Sequence, residues 1–289
     1  MIPLKDAHQR FVAHLSQKKR SSATILAYGK DIEQLVSFLD ELKRAQVHEI
    51  STEDIQAFMA KLAKDGYTAK SISRKTNSTK TFFRFLKLEE YITDDPAALV
   101  LHPKFETKPP RILTAQEYRA LRDSCRGDVR TSAIVELLLQ TGIRIGELAQ
   151  LQVDDVQLTN GSGPQLTIRP MPGHGERTIP LNKAAAAAVK NYIEARPKSR
   201  NKTLFITKTG RALLVRNIRT SIDRYFRLAS VESAKVNDLR HTWVAHHLQK
   251  GTSLTLISKL AGHKRVSTTE RYLQFLGERG EKTVKLEEL

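Results

Sequence analysis

Between Val236 and Phe275 the chain reads VNDLRHTWVAHHLQKGTSLTLISKLAGHKRVSTTERYLQF and carries three residues whose types suit one chemistry. Arg240 offers a planar fork of donors that matches two anionic oxygens. His263 is a hydrogen-bond donor near neutral pH, and Tyr272 is a potential oxygen nucleophile. They lie in a helical pattern broken at Gly-Thr-Ser and again at Gly-His. A phosphodiester is the substrate that needs all three. A second arginine, Arg144, follows a glycine break in TGIRIGEL, flanked by Ile143, Ile145 and Leu148. An unpaired guanidinium is costly in such apolar company unless it meets an acid or a bound anion. Glu147, three residues on, is better placed to orient Arg144 than to touch a substrate. His241 and His246 share a helix with Trp243 and read as packing residues.

Composition narrows the partner. The chain has 289 residues, a formal net charge of +17 and a pI of about 10.0, the imbalance of a protein that meets a polyanion, with nucleic acid the leading candidate. A membrane surface fits less well: no apolar run approaches the roughly 18 residues of a spanning helix, and the opening MIPLKDAHQR lacks a signal-peptide core. A lone cysteine, Cys125, excludes an internal disulfide and a thiolate zinc cluster and fits a reducing, cytoplasmic compartment. No His/Asp/Glu set has metal-ligand spacing, so neither metal nor other cofactor is expected. Charge is unevenly shared: residues 1–110 hold 18 Lys/Arg against 14 Asp/Glu, a net +4, and residues 111–289 hold 30 against 17, a net +13. Attraction to a polyanion therefore concentrates in the second part.

The elements that must position these residues follow from periodicity. At this length two domains are expected. The first hundred residues read as helices. In SSATILAYGKDIEQLVSFLDELK the residues Ile25, Tyr28, Ile32, Leu35, Leu39 and Leu42 form one stripe, capped by Ser21 or Ser22. Ser51 opens a second helix that stops at Gly66. A third, Thr68 to Leu88, carries Lys70, Arg74, Lys80 and Arg84 beside Phe82, Phe83 and Phe85, so one face can pack while another meets a nucleic-acid backbone. Asp94 to Leu113 contains Pro96, Pro103, Pro109 and Pro110 and reads as an extended linker. We place the boundary at 104–111, between domains at 1–103 and 112–289, with a hinge that lets two lobes close on a duplex. Beyond it, Thr114 and Glu117 predict a capping box, and TSAIVELLLQTG a strongly apolar helix ending at Gly142. LTIRP and RTIPL predict two strands joined by a turn with His174 at its tip. Arg196 to Arg227 then holds ten basic residues against one acid, Asp223. Such a run is often only a solvated face; here its interleaving with Phe205, Tyr225 and Phe226 suggests a phosphate-tracking surface, with Lys208, Arg211, Arg216 and Arg219 as candidate DNA contacts.

The chain resembles the tyrosine recombinase, or phage integrase, family over nearly its full length, on a branch like the Xer proteins or the transposon resolvases. TGIRIGEL looks like that family's first box, NDLRHTWVAHHLQKG its second, and LAGHKRVSTTERYL its last. The resemblance implies a mainly α fold with a small β-sheet in the C-terminal catalytic domain, preceded by a helical, SAM-like core-binding domain. It assigns Arg144 and Arg240 to the phosphate, His263 to a non-bridging oxygen, Glu147 to support and Tyr272 to the attack that leaves a 3′-phosphotyrosyl link. It also implies double-stranded DNA with inverted-repeat core sites and a homotetramer on paired sites, monomeric when free. Two positions depart from the family pattern. Asn237 stands where a histidine is usual, and no lysine occurs from Leu151 to Asn182, where the family carries one on a hairpin. His174 is the substitute general acid expected there, and Asn237 a positioning hydrogen-bond donor. Two other readings share these features: a type IB topoisomerase-like relaxing enzyme, and a DNA-binding protein that kept the fold after losing catalysis. The last residues, EKTVKLEEL, alternate apolar and charged positions and suit either exchange into a neighbouring subunit or a frayed terminus.

Overall fold

The computed structural model describes residues 2–275 apart from 107, 160, 162 and 173. The expected exchange tail lies outside these residues. The chain divides into two compact units, Met1–Thr107 and Lys108–Leu289.

The first unit is built from four helices: α1 (Leu4–Gln17), α2 (Ser22–Glu41), α3 (Thr52–Lys64) and α4 (Ala69–Leu88). Ser21, Ser51 and Thr68 each accept a hydrogen bond from a backbone N–H in the first turn of the helix they precede, which satisfies donors that the helix itself leaves free. The stripes meet in a core around Phe11, Leu35, Leu39, Phe58, Phe82 and Phe83, and Phe82 stands edge-on to Phe11 at 5.3 Å. The polar face of α4 is only partly available to a ligand. Arg74 and Lys75 both pair with Asp31 of α2, itself 3% exposed, and Ser78 donates to the same carboxylate. Lys80 donates to the Ala98 carbonyl at 3.0 Å. Of the four basic residues expected to face DNA here, Arg74 and Lys80 thus have partners inside the protein, and Lys70, Arg74 and Arg84 are exposed. Nor is the proline-rich stretch all linker: Ala97 and Val100 are buried in this core, and Thr52 of α3 donates to the Pro96 carbonyl.

The second unit opens with α5 (Ala115–Ser124), capped by Thr114 and Glu117 as its sequence predicts. Next come α6 (Val129–Thr141), α7 (Ile145–Gln150), the strands β1 (Val156–Gln157), β2 (Gln165–Ile168) and β3 (Arg177–Pro180), and then α8 (Lys183–Ala195) and α9 (Val215–Leu228). α10 (Val236–Gln249), α11 (Leu254–Ala261) and α12 (Ser267–Glu270) follow, with a 3-10 turn at Leu273–Phe275. The strands form an antiparallel sheet in the order β1-β2-β3, with Leu166 opposite Ile179 and Ile168 opposite Arg177. Every residue from Ala133 to Leu139 is buried, which makes α6 the hub that α8 and α10 pack against. That is why its pattern shows no polar face. On α9 the residues Ile218, Ile222 and Phe226 turn inward, leaving Arg216 and Arg219 exposed. Phe205 and Phe226 are core residues at 0% and 2% exposure. Two of the three aromatic residues interleaved in the basic run are therefore packing, and Tyr225 is partly buried against the same core. Lys208 and Arg211, at a tight turn held by the Thr207 and Arg211 backbones, are exposed.

Candidate active site

Two glycine corners bring the arginines together. α6 ends at Gly142 in the left-handed conformation, with φ 62°, and α11 ends at Gly262 likewise, with φ 67°. Neither corner has room for a side chain: a Cβ would lie 2.3 Å from the Trp243 ring at Gly142 and 2.8 Å from the Arg177 guanidinium at Gly262. Both glycine carbonyls point at site arginines. The Gly142 oxygen accepts from Arg240 Nη1, and the Gly262 oxygen accepts from Arg144 Nη2 at 2.7 Å. The left-handed turns that favour glycine thus aim two backbone carbonyls that fix both guanidinium groups.

Glu147 ties the assembly from below. Its Oε2 accepts the Arg144 backbone N–H at 2.8 Å, closing the start of α7, and its Oε1 accepts Arg144 Nη1 at 3.0 Å. Arg177 reaches across from β3 and donates to both oxygens, at 3.0 and 2.7 Å, while its Nε bonds the Leu260 carbonyl. Burial alone would push the Glu147 carboxyl up; the hydrogen bonds from Arg177 and the Arg144 backbone, with the charge of both arginines, hold it below its ordinary value. It is a buried carboxylate between two cations, oriented to hold Arg144. Arg177 escapes the sequence reading. The available signal is a basic residue at an inward position of β3, since burying it demands an acid nearby.

Arg240, on α10, is 5% exposed. Burial and the Arg144 charge lower its pKa to about 10, so it stays cationic at neutral pH. Its Nη2 is buried without a hydrogen-bond partner among the described residues. His263 follows Gly262, and its Nδ1 lies 2.7 Å from Thr269 Oγ1. Burial, then the charges of Arg240 and Arg144, bring its pKa down to about 4, so the ring is neutral and can present an N–H without adding charge. Tyr272 packs with Trp243, Ile257 and Ala261, and its ring lies nearly parallel to that of His263, with centroids 6.4 Å apart. Burial raises the phenol's pKa, while Arg240 and Arg144 pull it back. Its hydroxyl faces a polar neighbour and not the apolar cluster: the oxygen lies 2.6 Å from His241 Nδ1. His241, expected to be a packing residue, is instead a member of the site.

The two departures lie on separate flanks. Asn237 and Arg240 line a hollow with Arg219 and Lys235, so one candidate DNA contact, Arg219, shares a wall with the site. His174 lines another with His263, Lys259 and Lys264. It is partly buried, within the closed turn where Met171 and His174 exchange backbone bonds. Burial, followed by Arg144 and Lys264, lowers its pKa. Among the described residues no group of three or more His, Cys, Asp or Glu could hold a metal ion, and no helix is long and apolar enough to cross a membrane.

The site therefore gathers Arg144, Arg240, Glu147, His263, Asn237 and Tyr272 from four helices and their corners, with His174 at its edge. Comparison with known proteins gives the same answer. The phage integrase family model matches residues 111–278, and the phage integrase N-terminal SAM-like domain matches residues 9–90. Tyrosine recombinase XerC of Roseiflexus castenholzii is 30% identical over 278 residues, covering 91% of this chain and 87% of that protein. Tyrosine recombinase XerD of Staphylococcus haemolyticus is 31% identical over 266 residues, covering 89% of each. The fold matches that of a lambda integrase tetramer bound to a Holliday junction, with a TM-score of 0.73 and 21% identity over 92% of this chain and 79% of that one. With its catalytic-domain match, its nine-tenths coverage by curated relatives and the two-arginine, one-tyrosine site in place, the chain belongs to the phage integrase family, on its Xer-like branch of tyrosine recombinases.

Proposed function

We propose that this recombinase cleaves and rejoins DNA strands at specific sites through a 3′-phosphotyrosyl link at Tyr272. The observation that carries the reading is the buried Nη2 of Arg240, a cationic donor beside the phenol with no hydrogen-bond partner among the described residues. A buried donor of this kind calls for an acceptor, and a phosphate oxygen is one. Arg144 and Arg240 grip the scissile phosphate with charge-assisted bonds. His263 gives a further N–H to a non-bridging oxygen. Attack by the Tyr272 oxygen forms a phosphotyrosyl bond and breaks the bond to the 5′-oxygen, so the energy of the diester is kept for religation. The net charge of +17 draws the chain to duplex DNA, with Lys70, Arg74, Arg84, Lys208, Arg211, Arg216 and Arg219 as the exposed candidates for backbone contact. Exchange between two duplexes uses four tyrosines. A homotetramer on paired inverted-repeat sites fits that stoichiometry, and the lambda integrase of like fold forms a tetramer on a Holliday junction; assembly from monomers in the cytoplasm is part of the same reading. Chromosome-dimer resolution fits the Xer-type relatives. The test is covalent trapping: on a nicked suicide substrate carrying a site selected by binding, the chain forms a DNA adduct, and peptide mapping puts the nucleotide on Tyr272. No adduct, or one on another residue, defeats the reading.

His174 is the proposed acid for the leaving 5′-oxygen, in place of the missing hairpin lysine. Its pKa is held down in the free chain by burial and by Arg144 and Lys264. A phosphate anion against those cations opposes their effect and raises it, which favours the protonated ring when DNA is bound. His174→Ala then slows cleavage of ordinary DNA about a hundredfold, the low end for a positioned acid. On DNA whose 5′-oxygen is replaced by sulfur, a leaving group that needs no acid, the same variant cleaves at close to the wild-type rate. Equal rates for variant and wild type on ordinary DNA refute the role.

A further inference from the structure

The phenolic oxygen of Tyr272 has a partner with no role so far. His241 Nδ1 lies 2.6 Å from it, and the other ring nitrogen, Nε2, lies 2.8 Å from Asn237 Nδ2. The three residues form one line, with Asn237 and His241 a helical turn apart on α10 and Tyr272 arriving 31 residues later in sequence. An amide NH2 can only donate, so Nε2 must accept. A neutral imidazole has one N–H, which is then on Nδ1 and donates to the tyrosine oxygen. Protonating the ring would set a second N–H against the amide's own. Burial, with Asp238 opposing and the Arg240 charge adding to it, holds the His241 pKa below its ordinary value and so favours the neutral ring.

We propose that His241 is a catalytic residue, held by Asn237 as its Nδ1–H tautomer, which donates to the Tyr272 oxygen and stabilises it as nucleophile in cleavage and as leaving group in religation. The inference rests on Tyr272 being the nucleophile. In the step, the bond from the phenolic oxygen to phosphorus forms and the bond from phosphorus to the 5′-oxygen breaks. The net proton transfer is from phenol to 5′-oxygen, and His241 ends as it began. Its N–H turns the phenolic hydrogen away, which leaves a lone pair for the phosphorus. Asn237, the departure from the family's histidine, acts as a positioning residue. An amide N–H is a donor at every pH, which fixes the tautomer where a second titrating ring would not.

The experiment measures adduct formation by the full chain at saturating DNA, for ordinary and 5′-sulfur substrates. His241→Phe keeps a ring and deletes the donor; it slows cleavage at least ~tenfold, the scale of a hydrogen bond to a charged group. Unlike the defect of His174→Ala, this one persists on the sulfur substrate, because it lies on the nucleophile. His241→Asn, whose amide N–H stands near the place of Nδ1–H, recovers most of the rate. Nitrogen-15 NMR of the wild-type chain shows Nδ1 protonated and Nε2 bare, and in Asn237→Ala the ring populates both tautomers. Wild-type rates in His241→Phe, a defect that disappears with sulfur, or a proton on Nε2 in the wild type each overturn the inference. If the wild type itself forms no adduct at Tyr272, it is the nucleophile assignment that has failed; with that adduct present, the variants judge His241 alone.

Discussion

Arg240→Ala leaves the protein folded and able to hold DNA, yet slows adduct formation at saturating DNA by about a thousandfold or more. One fixed donor lost at a developing charge costs a hundred- to a thousandfold, and this side chain supplies two features at once. Its Nη1 is spent on the Gly142 carbonyl, which sets the plane of the group, and its Nη2 is the donor left open. Although its pKa is lowered to about 10, it is cationic throughout the working range, so activity shows no titration from this residue near neutral pH. Affinity for DNA changes much less, since a polyanion is held by many phosphate contacts of which this is one. Arg240→Lys separates charge from geometry. An ammonium restores the positive charge but cannot bond Gly142 and a phosphate oxygen in one plane, so it remains at least ~tenfold below wild type. The assignment fails if either variant forms adduct within a factor of a few of the wild-type rate on the same suicide substrate.

Arg144, Arg240, His263 and Tyr272 were legible because local signals mark them: each sits beside a glycine break or within a short helical pattern, and their order along the chain resembles the boxes of one family. The helices of both units were legible for the same reason, since caps such as Ser51 and Thr114 and stripes such as Ile32, Leu35 and Leu39 are written within a few residues of each other. Partners distant in sequence were not. Arg177 meets Glu147 across 30 residues and His241 meets Tyr272 across 31; no periodicity links such pairs, and a histidine next to a tryptophan on an apolar helix reads as packing. Charge runs misled in a related way. Arg74 counts as a DNA contact by type and helix face; the pair it makes with Asp31, on the facing helix, is not written near it in sequence, and its side chain is still 47% exposed. Phe205 and Phe226 in the basic run similarly look like a binding surface until the fold is seen to bury them. Composition gives the sign of the surface, and packing decides which charges remain on it.

Glu147→Ala has the largest expected effect on stability, about 3–5 kcal/mol, the range for removing one partner of a buried ion pair. The carboxylate is 4% exposed and Arg177 9%; without the acid, the Arg177 and Arg144 guanidinium groups confront each other with little water between them. At roughly 2–4 °C per kcal/mol for a domain of this size, the melting temperature falls by about 10 °C. The sign with pH follows from the lowered pKa of this carboxyl. Its contribution is fully present above the ordinary value of 4.5 and is lost as pH falls through the still lower folded value. The gap between wild type and variant is therefore constant from pH 8 to about pH 5 and narrows only in stronger acid. Stability and catalysis separate in the double variant Glu147→Leu with Arg177→Leu. Replacing a buried ion pair by apolar residues of similar volume is often neutral, and the two sites are coupled, so the double variant melts well above Glu147→Ala. Arg144, however, keeps only its bonds to the Ala261 and Gly262 carbonyls and loses the contact that orients its fork. Adduct formation by the double variant thus stays at least ~tenfold below wild type at temperatures where both are folded. Recovery of the rate together with the melting temperature would reduce Glu147 to a stabilising residue and leave the aim of Arg144 to the backbone carbonyls alone.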